Sequence, residues 1–180
     1  KAFTSQASIA LENAQLFNEV MNIKNYNEAM LESMKSGVIS TDAKGEIVKA
    51  NSAALKLLKV LDSPEYMIGQ TVSEFFVGEN QWIAHSVKRA LEEGFSDDAL
   101  DATLVVYSDD EKPKSISVNL TMQPLTNIEE EKIGCLLILE DITSEKRLRS
   151  TMSRYMPKEL ADKLLDEGEQ ALGGTLQEAT

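Results

Sequence analysis

Two adjacent carboxylates, Glu140 and Asp141, stand where the run "LILEDITSEKRL" passes from a strand-like half to a helix-like half. Paired carboxylates serve general acid-base work and glycoside cleavage, but neighbours on a strand point to opposite faces, so these two cannot close on one substrate. Asp141, or Thr143 two residues on, instead stands where a side-chain oxygen can accept from the first free N–H groups of the next helix, a cap worth about 1 kcal/mol. His85 is the one histidine and lies in "NQWIAHSVKRALEEG". At about 100° per residue from Trp82, the apolar Ile83, Val87, Ala90 and Leu91 share a half-circle, whereas His85 falls among Lys88, Arg89 and Glu92 and is expected to face solvent. Cys135 sits among leucines in a strand-like run, apart from any base that could activate it, and is expected to be a buried structural thiol. The clusters Asp109-Asp110-Glu111 and Glu129-Glu130-Glu131 fall in turns and lack the alternating ligand spacing and glycine bend of a calcium loop. Gly173-Gly174 lacks the lysine and the strand-to-helix context of a phosphate loop. On this reading no residue is assigned a catalytic, cofactor-binding or metal-binding role.

The totals narrow the function further. The 180 residues are 42% hydrophobic, enough for one ordinary core with appendages. Eighteen basic against thirty acidic side chains leave a net charge of −12, which repels phosphate backbones and anionic lipid alike, so neither nucleic acid nor membrane is an expected partner. One cysteine and one histidine can make neither an internal disulfide nor a four-ligand zinc site. Apolar runs stay far short of the roughly 20 residues that span a bilayer, and no export signal opens the chain. A cytoplasmic location is expected. The sequence starts at Lys1 in what reads as mid-helix, so it is expected to be a piece of a longer protein.

The elements that must position these residues begin with a stretch free of glycine and proline to about Lys35. Ala2, Ile9, Leu16, Ile23 and Met30 recur every seven residues; taken as d positions, they put Gln6, Asn13, Val20, Asn27 and Met34 at a. Amides at a bond to their own copies in a parallel, in-register pair, so a supercoiled homodimer seam is predicted through Ile9, Asn13, Leu16, Val20, Ile23, Asn27 and Met30. Glu19 at g and Lys24 at e can pair between chains for a few tenths of a kcal/mol, roughly. The competing reading is an amphipathic helix lying on its own domain, since Phe3, Phe17 and Leu31 widen the apolar stripe.

Gly37 is expected to end this helix. Two short strands then flank Asp42-Ala43-Lys44-Gly45, and Asn51 caps a helix carrying Ala54, Leu55 and Leu58. Pro64 and Gly69 mark a loop, Thr71 and Glu74 form a capping box, and Gly94 ends the helix that bears His85. "ATLVVY" and "SISVNLTMQ" read as strands around an acidic turn at Ser108 to Lys114; the second alternates, with Ile116, Val118, Leu120 and Met122 on one face. "IGCLLIL" is apolar on both faces, so a double cover is expected, the second layer being the N-terminal helix or another subunit. A helix from Thr143 with Leu148, Met152 and Tyr155 follows; Pro157 breaks it and "KELADKLLDEG" resumes.

This order resembles a PAS domain, carried by "SGVISTDAKGEIVKANSAALKLL", "MIGQTVSEFF" and "LEDIT" over roughly residues 28 to 147. The resemblance implies an α+β fold, a five-stranded antiparallel sheet with helices on one face, flanked by long signalling helices. The expected divisions are 1–35 for the first helix, 28–142 for the PAS domain and 143–180 for the exit helix and linker. It also implies that Asp141 and Thr143 tie the last strand to the exit helix. Some PAS domains bind haem through a histidine or flavin beside a cysteine; the polar-face position of His85 and the strand position of Cys135 fit neither, and no cofactor is expected. A small unnamed ligand between sheet and helices would meet Phe75, Phe76, Ile116, Val118, Leu120 and Met122, which a filled core would use equally.

The flanks resemble other families. "AFTSQASIALENAQLFNEV" is similar to the last helix of a GAF domain, and "RYMPKELADKLLDEGEQALGGTLQEAT" to the segment entering a class III nucleotide cyclase domain. Together they imply the GAF-to-PAS-to-cyclase stretch of a cyanobacterial-type adenylate cyclase: a non-catalytic homodimeric relay whose parent makes cAMP. The alternative is a ligand- or redox-binding PAS receptor from a histidine kinase or another signalling protein.

Overall fold

The structure is a computed structural model that describes residues 2–60, 64–107 and 112–155. It divides into one unit that reaches Asp141 and a second that begins at Ile142.

The first unit opens with α1 (Ala2–Ser33), 32 residues long. The helix stops earlier than the glycine suggested, and Gly37 instead begins β1 (Gly37–Asp42). Glycine is needed there for packing, because a Cβ at Gly37 would come within 2.9 Å of the Ala54 backbone. A turn leads into β2 (Ile47–Ala50). Asp42 Oδ1 accepts from the Lys44 and Glu46 amides, and Gly45 supplies the left-handed φ of 81° that closes the reversal. Next come α2 (Ser52–Leu58), the four-residue α3 (Val72–Phe75) and α4 (Gln81–Glu93). Thr71 and Glu74 form the expected reciprocal capping box on α3, and Gly94 ends α4 in the left-handed conformation.

Three long strands complete the sheet: β3 (Asp97–Tyr107), β4 (Pro113–Thr126) and β5 (Lys132–Asp141). The order β2-β1-β5-β4-β3 puts the last strand in the centre, and all four pairings are antiparallel. β3 starts well before "ATLVVY" because the acidic "DDALD" also pairs with β4, through an irregularity between Ala99 and Ala102. Of the two acidic clusters, Glu129-Glu130-Glu131 lies in the β4–β5 turn, held by Asn127 Oδ1 accepting from the Glu129 and Glu131 amides. Asp109-Asp110-Glu111 lies outside the described residues, as do the break at Pro157, the resumed helix and Gly173-Gly174.

One sheet face and the helices α2, α3 and α4 enclose the core. Ile39, Leu104, Val118, Leu120, Met122, Leu137 and Leu139 meet Ala54, Phe76, Ile83 and Val87 there, and Ile116 joins them. The alternation read in β4 therefore holds: Ile116, Val118, Leu120 and Met122 are all buried. The double cover of β5 does not hold within this unit. Leu137 and Leu139 are buried, but Leu136 and Ile138 are only half-buried on the opposite face. Nor does α1 supply that second layer, because its residues from Gln6 to Asn27 are exposed. A helix lying on the sheet would have traded that exposure for packing.

The second unit contains α5 (Thr143–Tyr155), whose first turn closes with Lys146 N–H donating to the Ile142 carbonyl at 2.9 Å. Leu148 and Met152 are exposed along it.

Candidate functional site at the helix junctions

The densest polar construction in the first unit is built on Asn51, which connects α1, β1 and α2. Its backbone is extended, at φ −83° and ψ 166°, and its side chain is buried at 3% exposure. Oδ1 accepts from the Ala54 amide at 2.9 Å, capping α2, and from the Val38 amide at 2.8 Å on β1. Nδ2 donates to the Leu31 carbonyl at 2.9 Å, in the last turn of α1, and to the Ser36 carbonyl at 3.1 Å, in the link to β1. An asparagine side chain offers two donor hydrogens and one acceptor oxygen with two lone pairs, so all of its capacity is used.

Two exposed contacts flank this node. Lys49 Nζ lies 3.1 Å from Glu28 Oε1, and Glu32 Oε2 accepts from the Ser52 amide at 3.0 Å. Hydrogen bonds from the Ser52 side chain and amide, aided by the Lys49 charge, hold the Glu32 carboxyl below the ordinary carboxylate value of 4.5. At about 100° per residue, Glu28 and Glu32 lie roughly a third of a turn round α1 from Ile9, Leu16, Val20, Ile23 and Met30. One side of α1 thus grips its own domain while another carries the side chains expected to form the seam. The latter are 52% to 63% exposed, with Asn13 and Asn27 exposed among them.

At the same end of the sheet, where Gly37 of β1 pairs with Leu139 of β5, Glu140 pairs across the ladder with Asn119 and Asp141 with Val118, so the two carboxylates alternate in face as neighbours on a strand must. Asn119 Nδ2 donates to Glu140 Oε2 at 3.3 Å, which gives that carboxylate a structural partner. Asp141 ends β5 and Thr143 begins α5, and each is engaged in a polar or electrostatic contact.

Of the six side chains expected around a ligand, Phe76, Ile116, Val118, Leu120 and Met122 belong to the filled core and Phe75 packs against it; Phe75 and Phe76 also line a cleft of ≈360 Å³ with Leu58, Tyr66, Val77 and Tyr107. The two phenylalanine rings meet edge to face, their centroids 4.9 Å apart. His85 is exposed. Cys135 is buried, and desolvation pushes its thiol up to about 11, which leaves almost no thiolate for nucleophilic chemistry at neutral pH. Among the described residues no cluster of histidine, cysteine and carboxylates could hold a metal ion, and no helix is long and apolar enough to cross a membrane.

Sequence reasoning identified Asn51 as the cap of α2 but missed its hold on α1 and β1. The cap is legible from the adjoining residues; the partners at Leu31, Ser36 and Val38 are created by the fold. Asn80 was missed for the same reason. Its amide donates to the Val105 carbonyl at 2.7 Å and accepts from the Val105 amide at 2.9 Å, pairing with the edge of β3 as a neighbouring strand would.

Known proteins agree with this architecture. The family described as PAS domain matches residues 35–144. The PAS domain of a Colwellia psychrerythraea protein superposes with a TM-score of 0.52 at 22% identity, over 68% of this chain and 98% of its own. The Vibrio cholerae VqmA dimer gives 0.53 at 18% identity, over 67% of this chain and 53% of its own. An RNA-binding light-oxygen-voltage receptor gives 0.55 at 12% identity, over 76% and 39% respectively. No curated protein matches by sequence.

Replacing Asn51 with alanine removes the α2 cap and strands the amide and carbonyls it joins, at a cost of about 3 kcal/mol. Chemical denaturation should register that loss, and hydrogen exchange should show selective deprotection of the last turn of α1. Deprotection confined to α2 would show that the tether to α1 carries no load. A carboxyl whose folded value is depressed stabilises above its unfolded value, and that contribution is lost as pH falls through the folded value. Acidification below the ordinary carboxylate range should therefore loosen the Glu32–Ser52 contact. Glu32→Gln should remove this part of the pH dependence of Ser52 amide exchange, and an unchanged profile would assign the effect to another group.

Proposed function

Because the chain belongs to the PAS domain family, a family of sensory and signalling modules, we propose that it is a homodimeric relay passing a conformational signal from an upstream GAF domain to a class III adenylate cyclase domain. The observation that carries this reading is the double use of α1. Asn51, Glu28 and Glu32 fasten its end to the sheet and α2, while its apolar stripe stands free of its own domain. A rotation or shift of a paired α1 therefore loads β1 through Val38, and β1 lies beside the central β5 that ends at Asp141.

In this reading the seam residues Ile9, Leu16, Val20, Ile23 and Met30 pair two chains in parallel, and Asn13 and Asn27 set the register through amide pairs. Asp141 and Thr143 are the residues through which a shift in β5 would pass to the paired exit helices. The relay itself does no chemistry. Its energetic demand is modest, because a tenfold change in output needs a difference of about 1.4 kcal/mol between two helix arrangements, within the usual range of allosteric coupling.

Native mass spectrometry across a concentration series should find a dimer without added mass, and Leu16→Lys with Ile23→Lys should leave a folded monomer. A wild-type chain that remains monomeric would remove the seam. In the parent protein, Asp141→Ala should change the ratio of stimulated to basal cAMP synthesis severalfold while the dimer persists. Equal ratios in variant and wild type would rule out the joint as a control point.

A further inference from the structure

The charge of α5 is opposite in sign to that of the chain as a whole. Lys146, Arg147, Arg149 and Arg154 stand against a single carboxylate, Glu145, in a protein of net charge −12. Among these cations lies Ser150, with Arg147 three residues before it and Arg149 immediately before it. No other serine or threonine in the sequence has an arginine at the third position before it. Kinases choose their acceptors by charge patterns of this kind. Lysines stand three residues before Ser52, Ser115 and Ser117, but those serines are committed to folded elements. Ser52 is hydrogen-bonded to Glu32 at the start of α2, and Ser115 and Ser117 pair with Val105 and Thr103 in the sheet. Ser150 is exposed, and so are Arg147, Arg149 and Arg154. A helix of 13 residues is marginal by itself in water, so this segment can open to enter a kinase cleft.

Helix geometry also places groups that can hold the product. Residues three and four apart are neighbours on a helix, with Cβ atoms about 5 to 6 Å apart. Arg147 lies three residues before Ser150 and Arg154 four after it, at about 60° and 40° round the axis, so the two guanidinium groups flank the hydroxyl from either end. Neither arginine has a carboxylate within ion-pair distance among the described residues. Lys146 has a polar or electrostatic partner of its own. Glu145 lies about 140° from Ser150 and one turn before Arg149, the spacing of a helical ion pair. Glu140 and Asp141 precede the helix, whose first residue is already about 10 Å along the axis from Ser150. A phosphate adds about −1.5 to −2 charges and three strong acceptor oxygens, and arginine binds phosphate through two parallel hydrogen bonds.

We propose that Ser150 is a phosphorylation site, at which a serine kinase places a phosphate that Arg147 and Arg154 then hold. In the transfer, Ser150 Oγ attacks the terminal phosphorus of a nucleoside triphosphate. The new O–P bond forms as the bridging P–O bond breaks, nucleoside diphosphate leaves and the hydroxyl proton passes to the kinase's base. The held phosphate links successive turns of α5 and stiffens the helix. The inference does not rest on the relay reading, because it concerns the side chains of α5 alone.

The test treats the whole chain with magnesium ATP and a serine kinase selective for arginine three residues before its acceptor, and locates phosphate by fragmentation mass spectrometry. Phosphate should enter at Ser150, and Arg147→Ala should slow its entry about tenfold or more. Ser150→Ala should take up none while keeping the wild-type unfolding curve. Phosphorus NMR of the phosphorylated chain reads the cradle separately: the phosphate should lose its second proton at a lower pH in the wild type than in Arg154→Gln. Entry only at Ser52, Ser115 or Ser117, no entry at all, equal rates with and without Arg147, or the same phosphate titration in both chains would each overturn the proposal.

Discussion

One buried side-chain amide, that of Asn51, holds the first half of the domain in register. Burying an amide is costly unless its hydrogen bonds are made, and here four are made to four different segments: the last turn of α1, the link after it, β1 and the start of α2. These positions become interdependent, because moving any one of them leaves a donor or acceptor unpaired in a low-dielectric setting. Glycine at position 37 belongs to the same constraint. Only without a Cβ can β1 lie close enough to Ala54 for the Asn51 amide to reach both β1 and α2.

The sheet protects itself by comparable means. β5 is central and hydrogen-bonded on both sides, so the strand that ends at Asp141 cannot shift without disturbing both neighbours. β3 is an edge strand, and bare edges invite pairing with other chains. Asn80 occupies the outward peptide groups of Val105, while Asp97, Asp98 and Asp101 and a pairing irregularity mark the other end. Arg89 pairs with Asp97, which fastens that end of the strand to α4. A similarly placed strand of purely apolar residues would present a sticky edge.

Much of this was legible because it is local. The period-two pattern of "SISVNLTM", the capping box at Thr71 and Glu74, the turn at Gly45 and the helical period around Ile83 and Val87 each place partners within a few residues. The PAS architecture follows from their order. The start of β3 was not legible, since "DDALD" lacks strand-forming residues and pairs only because β4 is there to receive it. Of the two layers expected over the outer face of β5, the N-terminal helix is not there. Leu136 and Ile138 are apolar, but the helices lie on the other face, and the outer one is left partly open. The candidate site was legible only where it is local: the cap that Asn51 places on α2 adjoins it in sequence, whereas the tethers from Asn51 to Leu31 and from Glu32 to Ser52 cross gaps of 20 residues that only the folded chain closes.

The exposed stripe of α1 explains why the proposed pair would be both specific and adjustable. Five seam side chains on each chain are a little over half exposed, so their burial returns roughly half of the 1.5 to 3 kcal/mol available per large apolar residue. Association opposes this with an estimated 4 to 15 kcal/mol of lost rigid-body freedom, roughly the same size. The balance places the paired state near the concentrations at which proteins work, where a difference of one or two kcal/mol, roughly, redistributes helix arrangements. Replacing Asn13 and Asn27 with leucine would add affinity and remove the groups that make a wrong register costly. A seam that keeps those amides sacrifices binding strength for a defined phase, and phase is what a rigid tether at Asn51 can pass on to the sheet.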